Sequence, residues 1–412
     1  MHEYLREISL PLIASENRVS PAVKLALTSD LNHRYAEGLP GIRMYPGLKY
    51  FDQIESKAQS YMCDLLNGVY CDLRPISGTI ANLICYTAFT KPGDYLMSLG
   101  VSKGGHISIG SSTLGGTAGA VSRLNVARFI FDEDEFNINV DATLKVWKGL
   151  VNCNKTPKLV IFGGSVLLFP QPLQELIPIF KDGGAIIIYD AAHVAGLIAG
   201  GLFQNPLIEG VDIITMSTHK TFFGPQHGAI ICGHTGEDIE IIKRSAFPGL
   251  VSNHHLGAVA GVGIAAYELI KHGVKYASQI VRNAKKLAYE LQELGFNVLC
   301  ENKGFTESHI ILVDLSKDGG GTEAQNLLEE CNIMINKNLL PWDPRFGRNS
   351  NNPSGIRIGV QECTRLGMVE SDMEDIAFLM NKALHGLSKS KVRLEIKNFM
   401  KNFKEVKFCE NI

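Results

Sequence analysis

A lysine near the middle of the chain has the surroundings of a nucleophile. Lys220 stands in Thr215-Met-Ser-Thr-His-Lys-Thr221, after an apolar run and before a loop that ends at Gly228. An amine just past a buried strand loses hydration, which lowers its pKa and frees the lone pair that attacks a carbonyl carbon. The segment therefore predicts a lysine that forms a Schiff base, although a lysine of this kind, taken alone, is more often a surface residue.

A carboxylate precedes this lysine by thirty residues. Asp190 ends the apolar run Ala185-Ile-Ile-Ile-Tyr-Asp190, and a helix and another strand fit between it and Lys220. At the carboxyl end of a strand it would face the crevice where α/β proteins bind ligands. Such an acid can keep a pyridine nitrogen protonated, so that the ring accepts electrons. The alternative is an aspartate that only caps a helix.

Three further segments offer groups that a phosphorylated aromatic cofactor and an amino acid would need. Ser77-Gly-Thr-Ile-Ala-Asn82 opens a helix, where free N–H groups and hydroxyls suit a phosphate. Gly104-Gly-His106 places an imidazole where it could stack on a flat ring. Ser354-Gly-Ile-Arg-Ile-Gly359 surrounds Arg357 with apolar residues, so its guanidinium must pair with a carboxylate of a substrate or of the protein. In this order, with Lys220 and Asp190, these are the parts of an enzyme that uses pyridoxal phosphate.

The segments that position these residues read as an α/β domain followed by a smaller one. Continuous apolar runs are typical of strands covered on both faces, and they fall at 158–162, 185–189, 211–215 and 228–232. A helix from Pro21 to about Leu31, a strand at 309–315 and a helix with a capping box of Ser371 and Glu374 are also predicted. We expect an N-terminal segment at 1–40, a large domain at 41–265 and a small α+β domain at 266–412.

Composition excludes several classes of protein. The 412 residues carry a net charge of -2, so no basic excess indicates nucleic-acid binding. The nine cysteines include no CxxC pair, which favours a reduced cytoplasmic protein over a disulfide framework or a zinc site, and we expect no metal. The most apolar stretch, Ala185 to Phe203, contains Asp190 and His193, which a membrane span would not carry at low cost. We therefore expect a soluble protein.

The lysine-rich tail from Ser388 to Phe408 has two interpretations. Its apolar residues recur at helical spacing, so a helix that docks its apolar face and exposes its lysines is favoured. A basic amphipathic helix that binds RNA or anionic lipid is the alternative.

The chain resembles the serine hydroxymethyltransferase family. The segments that carry the resemblance are LIASEN (12–17), RYAEGLPG (34–41), SGTIAN (77–82), GGH (104–106), DAAHVAGLIAGG (190–201), STHKT (217–221), FPG (247–249), NKN (336–338) and SGIRIG (354–359). The local sequence is similar to the archaeal, methanogen-type branch, as in THKTFFGPQ and NKNLLPWD. The resemblance implies an α/β protein with the aspartate-aminotransferase-like fold (type I). By the same resemblance, the large domain would have a mostly parallel seven-stranded sheet, and the smaller C-terminal domain would be α+β.

The resemblance also implies roles for the residues around the cofactor. Lys220 would hold pyridoxal 5'-phosphate as a Schiff base, and Asp190 would pair with the pyridine nitrogen. His106 would stack on the ring, with Ser165 and His193 near its phenolic oxygen. The residues expected around the cofactor and its phosphate are Ser77, Gly78, Thr79, Ser217 and His219.

For the substrates, the resemblance implies a site shared between two subunits. Arg357 would bind the carboxylate of serine or glycine, helped by Ser15. Tyr45 and the catalytic residues Glu37 and Tyr35 would enter from the partner of a homodimer. Glu37 would assist proton transfers with the reduced pterin, which is tetrahydromethanopterin or tetrahydrofolate.

The expected reaction is the reversible transfer of the hydroxymethyl carbon of serine to the reduced pterin, which gives glycine. A pterin-independent aldolase of β-hydroxy amino acids is the alternative, and a non-catalytic RNA-binding protein is a third hypothesis. The sequence departs from the family at Met44-Pro46, at Gln226-His227 and at Ser252-Asn253, where a Gly-Gly pair is usual. The family's first helix is missing, so the N-terminus is expected to be truncated.

Overall fold

The structure is a computed structural model that describes residues 1–386 and 388–410. Its helices are α1 (His2–Glu7), α2 (Pro21–Leu27), α3 (Lys49–Leu66), α4 (Gly78–Phe89), α5 (Val140–Asn152), α6 (Leu173–Asp182), α7 (Ala195–Ala199), α8 (Glu237–Arg244), α9 (Leu256–Glu293), α10 (Gly321–Glu330), α11 (Gln361–Arg365), α12 (Glu370–Leu384) and α13 (Lys389–Met400). Its strands are β1 (Leu10–Pro11), β2 (Gly38–Leu39), β3 (Ile42–Arg43), β4 (Tyr70–Asp72), β5 (Tyr95–Ser98), β6 (Asn125–Arg128), β7 (Phe131–Asp132), β8 (Asn137–Ile138), β9 (Leu159–Gly163), β10 (Ile186–Asp190), β11 (Ile213–Ser217), β12 (Gly228–Cys232), β13 (Ile310–Asp314), β14 (Ile333–Met334), β15 (Asn336–Asn338) and β16 (Gly355–Gly359).

The centre of the molecule is a seven-stranded sheet in the order β4-β12-β11-β10-β9-β5-β6. Only β12 runs against its neighbours, so the sheet is mostly parallel, as predicted. Every residue of β9, β11 and β12 is buried, because helices cover both faces. The four predicted strands all form, with ends displaced by no more than two residues.

The parallel strands bring three chain segments to one edge of this sheet. Asp190 at the end of β10 is in register with Gly163 of β9 and Thr215 of β11. The chain that follows each strand therefore emerges at the same edge. Helix α7 and strand β11 occupy the interval between Asp190 and Lys220, as the spacing predicts.

A smaller antiparallel sheet, in the order β13-β16-β15, carries the late arginine. Arg357 lies in the middle of β16, opposite Leu312 of β13 and Asn336 of β15. The 38-residue helix α9 packs against both α3 and α12. The predicted boundary at 265/266 falls inside this helix, and the division into domains stays a prediction.

Two predicted helix ends are wrong. Helix α12 begins at Glu370, one residue before the predicted cap Ser371, and the N–H of Val369 donates to Asp372 at 2.7 Å. The capping contact therefore joins the main chain of Val369 to the carboxylate of Asp372, since Ser371 already lies within the first turn. Helix α2 ends at Leu27 instead of about Leu31, and a separate 3₁₀ turn follows at Asp30–His33.

The lysine-rich tail forms a helix that packs its apolar face against the protein, as the favoured interpretation predicts. Helix α13 buries Val392, Ile396 and Met400, whereas its lysines face outward. Within the described part of the chain, no helix combines the length and apolar character needed to cross a membrane.

Candidate active site

Lys220 lies in a loop at the carboxyl edge of the large sheet, three residues beyond β11. Its side chain is 8% exposed, and its Nζ lies 3.4 Å from the hydroxyl oxygen of Ser217. Burial lowers the pKa of Lys220 to about 8; Asp190 opposes this effect, and Arg357 adds to it. At neutral pH the amine is thus much closer to its neutral, nucleophilic form than an exposed lysine would be.

Asp190 is buried at the end of β10 and held by two donors. The side-chain amide of Asn82 donates to its Oδ2 at 3.0 Å, and the N–H of Ala192 donates to its Oδ1 at 3.1 Å. Asn82 is itself fixed, because its carbonyl accepts from the hydroxyl of Thr215 at 2.6 Å. Among the described residues no cationic group lies within 4 Å of the carboxylate, so it is oriented yet still available to a positively charged partner.

A cavity of about 250 Å³ separates these groups, and all ten residues predicted to contact the cofactor line it. They are Ser77, Gly78, Thr79, His106, Ser165, Asp190, His193, Ser217, His219 and Lys220. The sequence reasoning missed Asn82, Gly164 and Ala192 as lining residues. Asn82 could have been found, because it lies four residues after Gly78 and so shares a face of α4 with it.

One end of the cavity has the character of an anion site. Ser77 caps α4 by accepting the N–H of Ile80 at 3.2 Å. A Cβ on Gly78 would lie 2.4 Å from the hydroxyl oxygen of Ser217, so only glycine allows this close approach. The Nδ1 of His219 is buried and, within the described chain, has no hydrogen-bond partner. Hydroxyls, an imidazole and the start of a twelve-residue helix therefore converge here.

His106 is positioned by the turn that it begins. Its Nδ1 accepts the N–H of Ser108 at 3.1 Å, which leaves the proton of the neutral ring on Nε2. Burial is the largest effect on its pKa and lowers it, so the neutral ring is favoured.

His193, which lines the cavity, has a second buried imidazole beside it. His193 and His309 stack with ring centres 5.6 Å apart, and the Nε2 of His309 donates to the carbonyl of Ala14 at 3.2 Å. Burial lowers the pKa of His193 well below its usual value and that of His309 to about 3. Both rings are therefore uncharged at neutral pH, and His309 ties the N-terminal segment to this wall of the cavity.

Arg357 reaches the wall of the same cavity from β16. Its guanidinium donates to the main-chain oxygen of Ser165 at 2.9 Å and to the side-chain oxygen of Asn336 at 3.2 Å. Its side chain is buried, and burial lowers its pKa to about 10. No carboxylate of the described residues lies within 4 Å of it, so the alternative of a structural salt bridge does not hold.

Two other buried arginines show what a structural pair looks like in this protein. Arg74 donates to Asp72 at 2.5 Å, and Arg365 donates to Glu268 at 2.8 Å while it stacks on the ring of Phe223. Each has a carboxylate of the chain as its partner. The unpaired guanidinium of Arg357 is therefore available to an external anion.

The other predicted residues lie outside the cavity of the single chain. Tyr35 and Tyr45 are 53% and 43% exposed, with ring centres 5.1 Å apart, and Glu37 lies between them at the β2–β3 hairpin. None of the three lines the cavity. Ser15 is half-buried beside Ala14, in the segment that contacts His309.

The chain matches the family model described as serine hydroxymethyltransferase over residues 2–380. It is 51% identical to the serine hydroxymethyltransferase of Korarchaeum cryptofilum, with 99% of this chain and 94% of that protein covered. It is 47% identical to the enzyme of the same name from Methanocaldococcus jannaschii, with 99% and 93% covered.

A solved structure supports the fold. The L-threonine transaldolase from Pseudomonas fluorescens in its internal aldimine state is similar to this chain, with a TM-score of 0.88 and 28% identity. The similarity covers 99% of this chain and 91% of that one. The predicted fold class and resemblance are thereby confirmed, and the chain belongs to the serine hydroxymethyltransferase family.

Proposed function

We propose that this chain catalyses the reversible transfer of the hydroxymethyl carbon of serine to a reduced pterin, with pyridoxal phosphate held covalently by Lys220. One observation carries the proposal. Lys220, whose amine is buried and has a lowered pKa, lines the cavity. Arg357, whose buried guanidinium has no carboxylate partner among the described residues, contacts the main-chain oxygen of Ser165, another residue of the same cavity.

The residues of the cavity fit pyridoxal phosphate. The N-terminus of α4, the close approach that Gly78 permits and the unpartnered Nδ1 of His219 suit the phosphate. At the other end, Asp190 offers a carboxylate without a cation of its own, as a protonated ring nitrogen requires. When bound, the cofactor would supply an electron sink for the pair released as the Cα–Cβ bond of serine breaks.

The side chains of the protein would control which bond of serine breaks. Arg357 would bind the carboxylate with its guanidinium fork, and this fixes rotation about the bond from Cα to the amine. Asp190, itself oriented by Asn82, would hold the proton on the ring nitrogen. His106 would pack its neutral imidazole against the ring, and His193 would face the ring's oxygen side together with Ser165.

The site would be completed by a second copy of the chain. An open groove of about 600 Å³ between α3 and α9 is lined by apolar and aromatic side chains, among them Ile54, Tyr61 and Tyr267. Ile42 and Met44, in and beside the β2–β3 hairpin that follows Glu37, are exposed apolar residues as well. Monomeric proteins rarely leave such an extended apolar surface uncovered. We therefore infer a homodimer in which Glu37, Tyr35 and Tyr45 reach the partner's cavity.

The cytoplasm is the compartment that fits the cysteines. All nine are free thiols, and Cys153 is exposed, which is expected where thiols are kept reduced.

The identity of the carrier is tested by direct comparison. Purified protein with pyridoxal phosphate is assayed for serine cleavage with tetrahydrofolate, with tetrahydromethanopterin and without either. We expect turnover to depend on a carrier, and the resemblance to the methanogen-type branch leads us to expect tetrahydromethanopterin. Serine cleavage that is equally fast without a carrier would contradict the proposed function.

The second candidate is a carrier-independent aldolase that cleaves β-hydroxy amino acids such as threonine. The structural similarity to an L-threonine transaldolase favours it. The two functions are separated by the same assay, since an aldolase cleaves threonine rapidly and gains nothing from a reduced pterin.

A further inference from the structure

Two neighbouring side chains fasten the segment that carries Glu37. The side-chain oxygen of Asn253 accepts the N–H of Ala36 at 2.9 Å, and its amide donates to the carbonyl of Arg34 at 2.9 Å. The hydroxyl of Ser252 donates to Oε1 of Glu37 at 2.5 Å. Two residues just before α9 therefore hold both the main chain and the carboxylate of a segment more than two hundred positions away.

The opposite side of the segment is fixed as well. The guanidinium of Arg43 donates to the carbonyls of Ala36 at 2.7 Å and of Gly38 at 3.0 Å. The carbonyl of Glu37 accepts the N–H of Met44 at 3.0 Å. The peptide groups on both sides of Glu37 thus have fixed partners.

The carboxylate of Glu37 is held in this way although Glu37 is only half-buried and lies close to exposed residues. Ser252 is itself exposed, so its hydroxyl could be satisfied by water. Fixing a glutamate side chain costs conformational entropy, whereas the side chain of a solvated surface residue keeps its rotamer freedom. A group that transfers a proton must, however, lie within hydrogen-bond reach in one geometry, and this favours a restrained carboxylate.

We infer that Ser252 and Asn253 are positioning residues for Glu37. Asn253 fixes the path of the main chain, and Ser252 selects one orientation of the carboxylate. Their effect is therefore confined to the steps in which Glu37 takes part. The inference rests on the proposed function, in which Glu37 acts with the reduced pterin.

The test uses the full-length protein with bound pyridoxal phosphate and the variants Ser252→Ala and Asn253→Ala. Carrier-dependent cleavage of serine is measured beside carrier-independent cleavage of phenylserine. We expect the carrier-dependent kcat to fall at least about tenfold, while the KM for serine and the phenylserine rate stay within about twofold. Ser252→Thr keeps the hydroxyl and is expected to restore the carrier-dependent rate.

Hydrogen exchange gives a readout that is independent of turnover. In Asn253→Ala the N–H of Ala36 loses its acceptor, so its exchange is expected to accelerate at least about tenfold. Ser316→Ala and Asn297→Ala change exposed residues of the small domain and serve as matched controls. Unchanged exchange at Ala36 would overturn the role of Asn253.

A double variant separates this inference from the proposed function. Adding Ser252→Ala to Glu37→Gln should cost nothing further, because the hydroxyl acts through that carboxylate. An additive loss, or equal losses of both reactions in Ser252→Ala, would overturn the inference. If Glu37→Gln loses the carrier-dependent rate and Ser252→Ala keeps it, only the inference about Ser252 fails. If Glu37→Gln is fully active with the carrier, the proposed role of Glu37 fails together with the inference.

Discussion

Arg357 donates to the main-chain oxygen of Ser165 at 2.9 Å, so the guanidinium is held at the cavity wall by a neutral group. The carbonyl of Ser165 orients the guanidinium of Arg357 without neutralising its positive charge. Arg74 differs in this respect, because its partner is the carboxylate of Asp72. A variant of Arg74 can therefore serve as the control for a variant of Arg357.

Replacing Arg357 with lysine should weaken the binding of serine. A lysine ammonium cannot reproduce the two parallel hydrogen bonds of the fork, so the KM for serine is expected to rise about 10- to 100-fold. Absorbance of the bound cofactor should persist, since the residues that line its cavity are unchanged. The matched variant Arg74→Lys should lower the free energy of unfolding and leave the KM for serine unaltered. A normal KM in Arg357→Lys would refute the assignment of the carboxylate site.

The attachment of pyridoxal phosphate should accelerate as the pH rises. The amine of Lys220 reacts only when neutral, and its pKa of about 8 means that the rate should rise through pH 8. In Asp190→Asn the midpoint should move to lower pH, because Asp190 raises the pKa of Lys220. The measurement is the absorbance change after cofactor is added to cofactor-free protein. A midpoint near 10.5, the usual pKa of a lysine, would contradict the buried environment.

Replacing Asn82 with aspartate should weaken cofactor binding. The new carboxylate would lie about where the amide now donates to Asp190 at 3.0 Å, and two carboxylates at that distance cannot both stay ionised. We expect the affinity for pyridoxal phosphate to fall at least about tenfold. Titration of cofactor-free protein measures it, with Asn297→Asp as an exposed control. Unchanged affinity would show that Asn82 does not orient Asp190.

Two inactive variants should restore activity when they share a dimer. Co-expression of Lys220→Ala with Glu37→Gln gives hybrid dimers in which one cavity keeps both groups, if Glu37 serves the partner's site. About a quarter of the wild-type carrier-dependent rate is then expected from random pairing. If Glu37 acts within its own chain, every hybrid cavity lacks one group and no rate is recovered. Sedimentation of each variant alone confirms that both still form dimers.

The free energy of unfolding should fall as the pH drops from about 7 to about 5. Burial lowers the pKa of His227 to about 4, beside His254, His255 and Glu55. The unfolded chain therefore binds a proton near pH 6.5 that the folded chain binds only near pH 4, and protons favour unfolding between these values.

The variant His227→Gln should remove part of this dependence. One such group contributes up to about 1.4 kcal/mol per pH unit between the two pKa values. Urea denaturation at both pH values measures the slope in wild type and variant. An equal slope in the two proteins would mean that folding does not lower the pKa of His227.

Much of the large domain could be predicted from local sequence. A run such as 228–232 has no polar side chain, which favours a strand covered on both faces, and the structure has this strand at Gly228–Cys232. Helix ends were less accurate, because Ser371 and Glu374 match the capping-box pattern, whereas α12 begins one residue before Ser371 and its cap is the carboxylate of Asp372, which accepts the main-chain N–H of Val369. Side-chain geometry, which the sequence does not contain, decides between them.

The sequence by itself determined the types and order of the reacting groups, since a lysine and an aspartate that follow apolar runs, and an arginine within a third apolar segment, already restrict the chemistry. Only the tertiary structure decided that Arg357 lacks a carboxylate of its own and that Asn82 holds Asp190. It also linked Ser252 to Glu37. These facts depend on contacts between residues far apart in the chain, and such contacts follow from packing, strand register and the burial of charge, not from any local pattern.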